Sequence, residues 1–383
     1  MLEKALDGGR GYWAWVCTLL ALIGLGFVAY LHQFNNGLTV TGLSRDVPWG
    51  FYIAQFTFLV GVAASAVVLV LPYYLHDFKA FGKLVVLGEF LAISAVIMCM
   101  LFIFVDMGQP MRVVNVILFP TPHSLMFWDM TVLCGYLVLN VLISRVTFRA
   151  EIQELPPRPW IRPIIILSVP WAVSIHTVTA FLYSGLAARP FWESAVLAPR
   201  FLASAFSAGP AILIMLALLL ARITAFDVGD KALHRLSTIM LYAMLANLFF
   251  VAMEFFTVFY SSIPEHTHHF RYLFSGLEGA HRLVPWMWFS LILGIGCAIG
   301  LLVPRLRHQR SSLAFLSAGI VLAIWIDKGL GMVVGGFVPS PLGAVTEYWP
   351  TLPEVGISTG IYAIGALILT GLYKIALSER AVI

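Results

Sequence analysis

Ten long apolar runs constrain this chain more than any other feature. They cover residues 13–34, 49–75, 83–105, 124–146, 161–185, 201–223, 235–262, 284–304, 313–335 and 355–377. Each reaches the roughly 20 residues that an α-helix needs to cross a bilayer. Only closed hydrogen-bonding structures survive in lipid, and runs of this length satisfy that as helices. Charged residues make up 11% of the chain and the mean hydropathy is +0.92, whereas a soluble domain carries about 25% charge. The fold class is therefore all-α integral membrane, with about ten transmembrane helices. The first run lacks a small-residue cleavage site and is read as a span, not a signal peptide. Lipid, not nucleic acid, is the medium this composition calls for.

Lys and Arg then set the expected orientation, because cytoplasmic loops hold the excess. With the N-terminus inside, six of the 23 basic residues face out: Arg45, Arg112, Arg189, Arg200, Arg271 and Arg282. Lys328 lies within a span, and the other sixteen, from Lys4 to Arg380, face in. This bias predicts a cytoplasmic membrane protein with both termini in the cytoplasm. The longer connections, 35–48, 106–123, 186–200, 263–283 and 336–354, then share the outer side. Their Trp, Tyr, Phe and Pro content suits a docking surface.

Two segments four spans apart enter the membrane alike, "VPWGFYIAQFTFLVGVAASAVV" and "APRFLASAFSAGPAILIMLALL". The spacing suggests one polytopic domain built of two four-helix bundles, 49–185 and 201–335. Helices 13–34 and 355–377 would flank them.

Ionisable side chains are costly at bilayer depth and mark interiors or cavities. Those within the spans are His32, Glu89, Asp129, His176, Glu254, Asp327 and Lys328. At about 1.5 Å of rise per residue, all but Glu89 fall in the outer half. An outward cluster predicts a polar pocket opening near the outer surface. Glu89, Asp129, Asp327 and Lys328 would extend a proton path from it. His176, Thr179 and Tyr183 share one helix face, on the outer side of the break that Pro170 introduces. Such a stripe can hold the carbonyl oxygens of a quinone ring, and His can exchange its proton.

Other redox groups find less support. Cys17, Cys99, Cys134 and Cys297 stand apart, so the chain offers no cluster of thiolates for iron–sulfur or structural zinc. Haem would need His32 with His176, and His32 is close to the surface. His266, His268 and His269 of "HTHH" are spaced for a metal but read as a solvated loop. No metal site is expected.

Several motifs then carry a family resemblance. "TGLSRDVPWGFYIAQF", "DMGQPMR", "HTVTAFLYSGLAARPFWESAVLAPRFLASAFSAGPA" and "GGFVPSPLGAVTEYWPTLPE" resemble the NrfD/PsrC family of membrane quinone-reactive subunits. The ten-span form looks most like its DsrP-type branch, to which HmcC is related. The resemblance implies a haem-free helical subunit without iron–sulfur clusters. It would exchange electrons between menaquinone and a ferredoxin-like, DsrO-like iron–sulfur subunit on the outer face. A cytochrome b, a cytochrome c and a cytoplasmic iron–sulfur subunit would complete the complex. By motif, the site would include Asp46, Trp49, Gly50, Asp106, Arg112, His176 and Arg189. His32, His123 and Glu254 join on position. The chain departs from the pattern at "PHSLMFWDM", where relatives often show Asn-Pro-Thr-Ser-like residues, so His123 and Asp129 have no motif behind their roles.

The expected function is that of a respiratory membrane subunit, in sulfite or sulfur metabolism. The quinone head group would lie between spans 1, 2, 5 and 7, with His176 and either His32 or Glu254 as proton acceptors. A secondary transporter and a haem b anchor are the alternatives, because broken helices and midplane charges also mark transporters.

Overall fold

The computed structural model describes residues 7–76, 78–153 and 158–380. Lys4, one of the sixteen inward cations, and the Arg380 side chain lie outside what it describes. Among the described residues, ten helices are long and apolar enough to cross a membrane: Arg10–Val40, Phe51–Tyr74, Lys79–Asp106, Leu125–Ala150, Ile161–Ser184, Leu197–Ile223, Asp230–Ser261, Val284–Leu302, Arg310–Gly335 and Leu352–Ser378. They are spans 1 to 10 below. Among the described residues there is no strand, only an isolated bridge between Leu277 and Ala280.

Span 2 is the axis of the molecule. It is apolar on every side and buried from Tyr52 to Ala64 and from Ala66 to Val70, as expected of a helix with no solvent or lipid face over that length. Spans 3, 5, 6 and 9 pack around it. Span 3 also meets span 4, and span 4 meets span 5. Span 6 meets spans 7 and 9, and span 8 meets spans 7 and 9. Spans 1 and 10 pair with each other, and span 10 rests on span 3. Glycine allows that pairing: a Cβ on Gly26 would lie 2.7 Å from Gly360 Cα. Small residues give such close backbone approach in membranes, where apolar surface alone does not drive helices together.

Among the described residues, two spans widen into π-type turns. Span 2 ends in a π-type turn, Leu71–Leu75, that contains Pro72. Span 9 widens into a second, Trp325–Gly331, which carries Asp327 and Lys328. Pro170 and Pro210 lie within otherwise continuous helices.

The two ends of the bundle differ. One gathers the short connections rich in cations. The other, the loop-rich end, gathers 41–50, 107–124, 185–196, 262–283 and 336–351. There the rings of Trp49, Trp192 and Phe337 meet, with centroids 4.9–6.4 Å apart. Beside them Glu354, fully buried, accepts from Gly42 N, Thr351 N and Tyr348 Oη at 2.6–2.8 Å. Phe51 N donates to Tyr348 Oη at 2.7 Å, so Tyr348 caps the first turn of span 2, whose free N–H groups need acceptors. "HTHH" is not a solvated loop. It lies in the helix Pro264–Phe274, with Thr267 and His269 buried. Its apolar residues at 270 and 273–274 give the segment a face to bury, which a reading limited to its polar letters overlooks.

Candidate functional site

Two buried polar centres lie beneath the loop-rich end. The first descends between spans 2, 4 and 5. Trp49, at the entrance to span 2, packs edge-on against Tyr183 with centroids 5.5 Å apart. Tyr183 Oη lies 2.5 Å from Thr57 Oγ1. Thr57 gives its own proton to Ile53 O at 2.7 Å, so Tyr183 is the donor of that contact. Thr179, one turn deeper, sits 2.8 Å from both Asp129 Oδ1 and Ile175 O. A hydroxyl has one proton. The Asp129–Thr179 pair is therefore satisfied in full only when Asp129 also carries a proton.

His176 closes this row. It is 1% exposed, and its Nδ1 lies 3.1 Å from Ala172 O. A carbonyl only accepts, so Nδ1 bears the proton and Nε2 keeps a lone pair. That Nε2 is buried without a partner. Unpartnered buried polar atoms are rare and call for an explanation. Arg189 bounds the row at the top, donating to Phe337 O at 3.2 Å with its guanidinium over the Phe337 ring.

The second centre lies between spans 6, 7 and 9. Arg200 donates to Glu254 Oε2 through Nη1 and to both oxygens of Asp327 through Nη2, the latter at 2.7 Å. Lys328, the next residue, points elsewhere. Its Nζ donates to Phe201 O at 3.3 Å and lies over the Phe201 ring, and a Cβ on Gly61 of span 2 would lie 3.2 Å from it. Phe201 in turn packs on Tyr183, so a single ring separates the two centres. A cleft opens on the second centre, lined by Arg200, Asn247, Glu254 and Asp327 among apolar side chains.

The other candidates are scattered. His32 is on the exposed face of span 1, paired with Asn36. His123 and Arg112 are exposed in the loop 107–124. Asp46 accepts from Thr346 at 2.9 Å, and a Cβ on Gly50 would strike the Tyr348 ring; both belong to the loop clasp. Asp106 ends span 3 with one oxygen buried and unpartnered. Glu89 is buried toward the cation-rich end, 3.4 Å from Thr147 Oγ1. The expected pocket between spans 1, 2, 5 and 7 does not assemble. Span 1 packs on span 10 and span 7 on span 6, so His32, His176 and Glu254 stand apart. Depth follows from sequence position, but the direction a helix faces does not. Among the described residues no three His, Cys, Asp or Glu side chains form a metal-holding group.

Sequence reasoning missed Arg200 as a site residue by counting it with the outer loops. Span 6 begins at Leu197, so Arg200 is within the helix. A signal was present: Glu254 and Asp327 lie at matched depth, and two intramembrane carboxylates need a cation.

A family profile described as "Polysulphide reductase, NrfD" matches residues 39–337. The chain belongs to the NrfD family. The matched stretch takes in spans 2 to 9, and so both polar centres of this NrfD protein, but not spans 1 and 10. Its relatives include the putative membrane-embedded C subunit of a dimethyl sulfoxide reductase from Halobacterium salinarum, 27% identical over 97% of this chain and 92% of that one. An Hdr-like menaquinol oxidoreductase integral membrane subunit of Archaeoglobus fulgidus is 27% identical over 66% of this chain and 62% of its own length. The C subunit of selenate reductase from Mesobacillus selenatarsenatis is 23% identical, covering 92% and 91%. The first alignment covers nearly the whole NrfD chain, flanking spans included.

Proposed function

We propose that this chain is the quinone-reactive membrane subunit of an oxidoreductase complex. It exchanges electrons between menaquinol and an iron–sulfur partner seated on the loop-rich face. That face is extracytoplasmic, and both termini lie in the cytoplasm. The relatives' names support membership of a multi-subunit, quinone-linked assembly. The finer form of the reading is DsrP-like: a DsrO-like partner, cytochrome b and c subunits, a cytoplasmic iron–sulfur subunit and a role in sulfur metabolism. Exposed apolar side chains on the loop 107–124, including Met111, Ile117, Leu118 and Phe119, favour a partner there, because contiguous apolar patches mark interaction sites.

One observation carries the reading: the unpartnered His176 Nε2, on the same face of span 5 as two hydrogen-bonded pairs, Tyr183 with Thr57 and Thr179 with Asp129. A menaquinol, when bound, supplies two electrons and two protons. His176 Nε2 is a vacant proton acceptor for one hydroxyl. Thr179 and Asp129 hold a proton that Asp129 can give or regain. Tyr183, fixed by Thr57, and Trp49 wall the ring position, and the packed aromatic roof excludes water.

His176→Leu in the intact complex tests this. Loss of a positioned proton acceptor costs about 10²–10⁴-fold in rate. We expect quinol-dependent reduction of the partner to fall by at least about 100-fold while the complex still assembles. Unchanged turnover would remove the site. A transporter reading draws on the widened turn of span 9 with its adjacent charges. Purification decides it: a transporter comes out alone and binds a polar solute, whereas a redox subunit comes out with iron–sulfur protein and quinone.

A further inference from the structure

We propose that the cleft between spans 6, 7, 8 and 9 is a second binding site, for a neutral lipid-soluble ring bearing hydroxyl groups, a hydroquinone. The choice of ring rests on the quinone reading above. The site itself rests on separate observations.

The cleft joins apolar walls to a few convergent polar groups, the make-up of a small-molecule site; by itself it encloses about 40 Å³, so a ring fits only where the cleft opens into the larger hollow beside it. Phe270 and Met287 line it, with Arg200, Asn247, Glu254 and Asp327. The polar groups offer acceptors. Arg200 engages Glu254 through Oε2, which leaves Oε1 available. Asn247 is 3% exposed, and its Oδ1 is buried with no partner. Asn247 and Glu254 both lie on span 7, two turns and about 10.5 Å apart along one wall, which suits a ring that donates from two opposed hydroxyls. Arg200, the cation that lines the cleft, is already engaged by two carboxylates, so the cleft offers no spare guanidinium to hold a phosphate.

Access is built in. A second hollow of about 300 Å³, lined by Glu193, Met253, Thr257 and His266, shares Phe191, Glu254 and Phe270 with the cleft. Met253 and Thr257 are on the exposed face of span 7, where Phe249 and Phe256 are more than half exposed. An isoprenoid tail can lie along that face while the ring reaches Glu254.

The experiment counts ligand in the intact purified complex. Lipid-soluble ligand is extracted and read by absorbance before and after reduction. A short-tailed naphthohydroquinone is then titrated, with tryptophan fluorescence as the readout. We expect two equivalents of quinone per chain. Asn247→Leu should lose one, with at least tenfold weaker binding in one phase of the titration. His176→Leu should lose the other, and the double variant both. Leu248→Trp, which fills the cleft without removing a polar group, should reproduce Asn247→Leu. Retention of both equivalents in Asn247→Leu and Leu248→Trp overturns the proposal. So does a single equivalent that only His176→Leu removes, which leaves the quinone reading standing. Phospholipid recovered from the cleft in place of quinone also overturns it. No quinone in any form sinks both readings.

Discussion

The two centres beneath the loop-rich end solve one problem in opposite ways. Each must keep titratable groups in a medium that penalises them. Around His176 the solution is neutral: hydroxyl to hydroxyl, hydroxyl to carboxyl, ring nitrogen to carbonyl, with one acceptor left vacant. Around Arg200 the solution is ionic: one cation between two carboxylates, their side chains 12–20% exposed. The neutral row is sealed by aromatic rings and can take up a proton with little rearrangement. The ionic centre is rigid and opens on a cleft. A membrane helix bundle can thus place a proton-handling site and a charge-locked site one aromatic ring apart. The first should govern turnover and the second should govern stability.

The largest expected effect tests the ionic side. Arg200→Ala strands Glu254 and Asp327 as uncompensated charges. Removal of one partner of a buried ion pair costs about 3–5 kcal/mol. We expect a marked fall in thermal unfolding temperature in detergent, or loss of folded protein. Glu254→Gln with Asp327→Asn in the same chain should recover most of it, because the stranded charges are then gone. Failure of that rescue would show that Arg200 acts through packing.

A smaller effect tests the neutral side. Thr179→Val preserves shape and removes the hydroxyl that binds Asp129. An unsatisfied buried group costs about 1–3 kcal/mol, so the protein should remain folded. Quinol oxidation should fall more than stability does, read as turnover per assembled complex. Equal losses of stability in Thr179→Val and Arg200→Ala would erase the distinction between the centres.

What could be read without coordinates follows the same physics. The ten spans were legible because burial in lipid demands uninterrupted apolar length, as in 83–105 for span 3. The His176, Thr179 and Tyr183 stripe was legible because helical periodicity puts these residues on one face. Azimuth was not legible. His32 and Glu254 fall in the outer half with His176, yet the pairing of span 1 with span 10 and of Glu254 with Arg200 turns them elsewhere. Arg200 was hidden by a boundary error of four residues, since apolar runs define a helix less sharply where a cation is buried. Gly50 reads as a cofactor residue by motif, but Tyr348, 298 positions on, occupies the space a side chain would need.

A pH effect of still smaller size acts on both centres at once. His269 Nδ1 donates to Gly335 O at 2.8 Å and Val338 O at 2.9 Å. Those carbonyls flank Phe337, which roofs the His176 row, while the adjacent Phe270 lines the cleft. Burial lowers the pKa of His269 from its ordinary value, outweighing the two carbonyls that favour the cation. The imidazole is therefore neutral in the folded protein, and the unfolded chain takes up its proton first as acid is added. The stabilisation is present in full above the ordinary value of about 6.5 and declines as pH falls below it. The protection of the 335–340 amides, measured as exchange relative to the intrinsic rate at each pH, should fall between pH 7 and 5. His269→Asn keeps a donor but does not titrate, and should flatten the dependence. A response confined to one centre would show that the loops are fastened independently.

The smallest effect is the control for the ionic comparison. At the cation-rich end Arg310 repeats the chemistry of Arg200: Nη2 meets Asp227 Oδ2 at 2.9 Å, and Nε meets Asp230 Oδ1 at 2.8 Å. Composition is matched, one guanidinium to two carboxylates, but these side chains are 41–62% exposed. Water solvates each group when its partner is removed, and salt screens what attraction remains. Asp227 also keeps the Gly229 backbone N–H, the first cause of its lowered pKa, so it is not left unpartnered. Arg310→Ala should therefore cost under about 1 kcal/mol, and less still in high salt. Arg200→Ala should be insensitive to salt. If the two substitutions destabilise equally, the cost at Arg200 reflects the arginine–carboxylate geometry itself. If only Arg200 matters, burial sets the cost, and the ionic centre is fixed in place by the low dielectric that surrounds it.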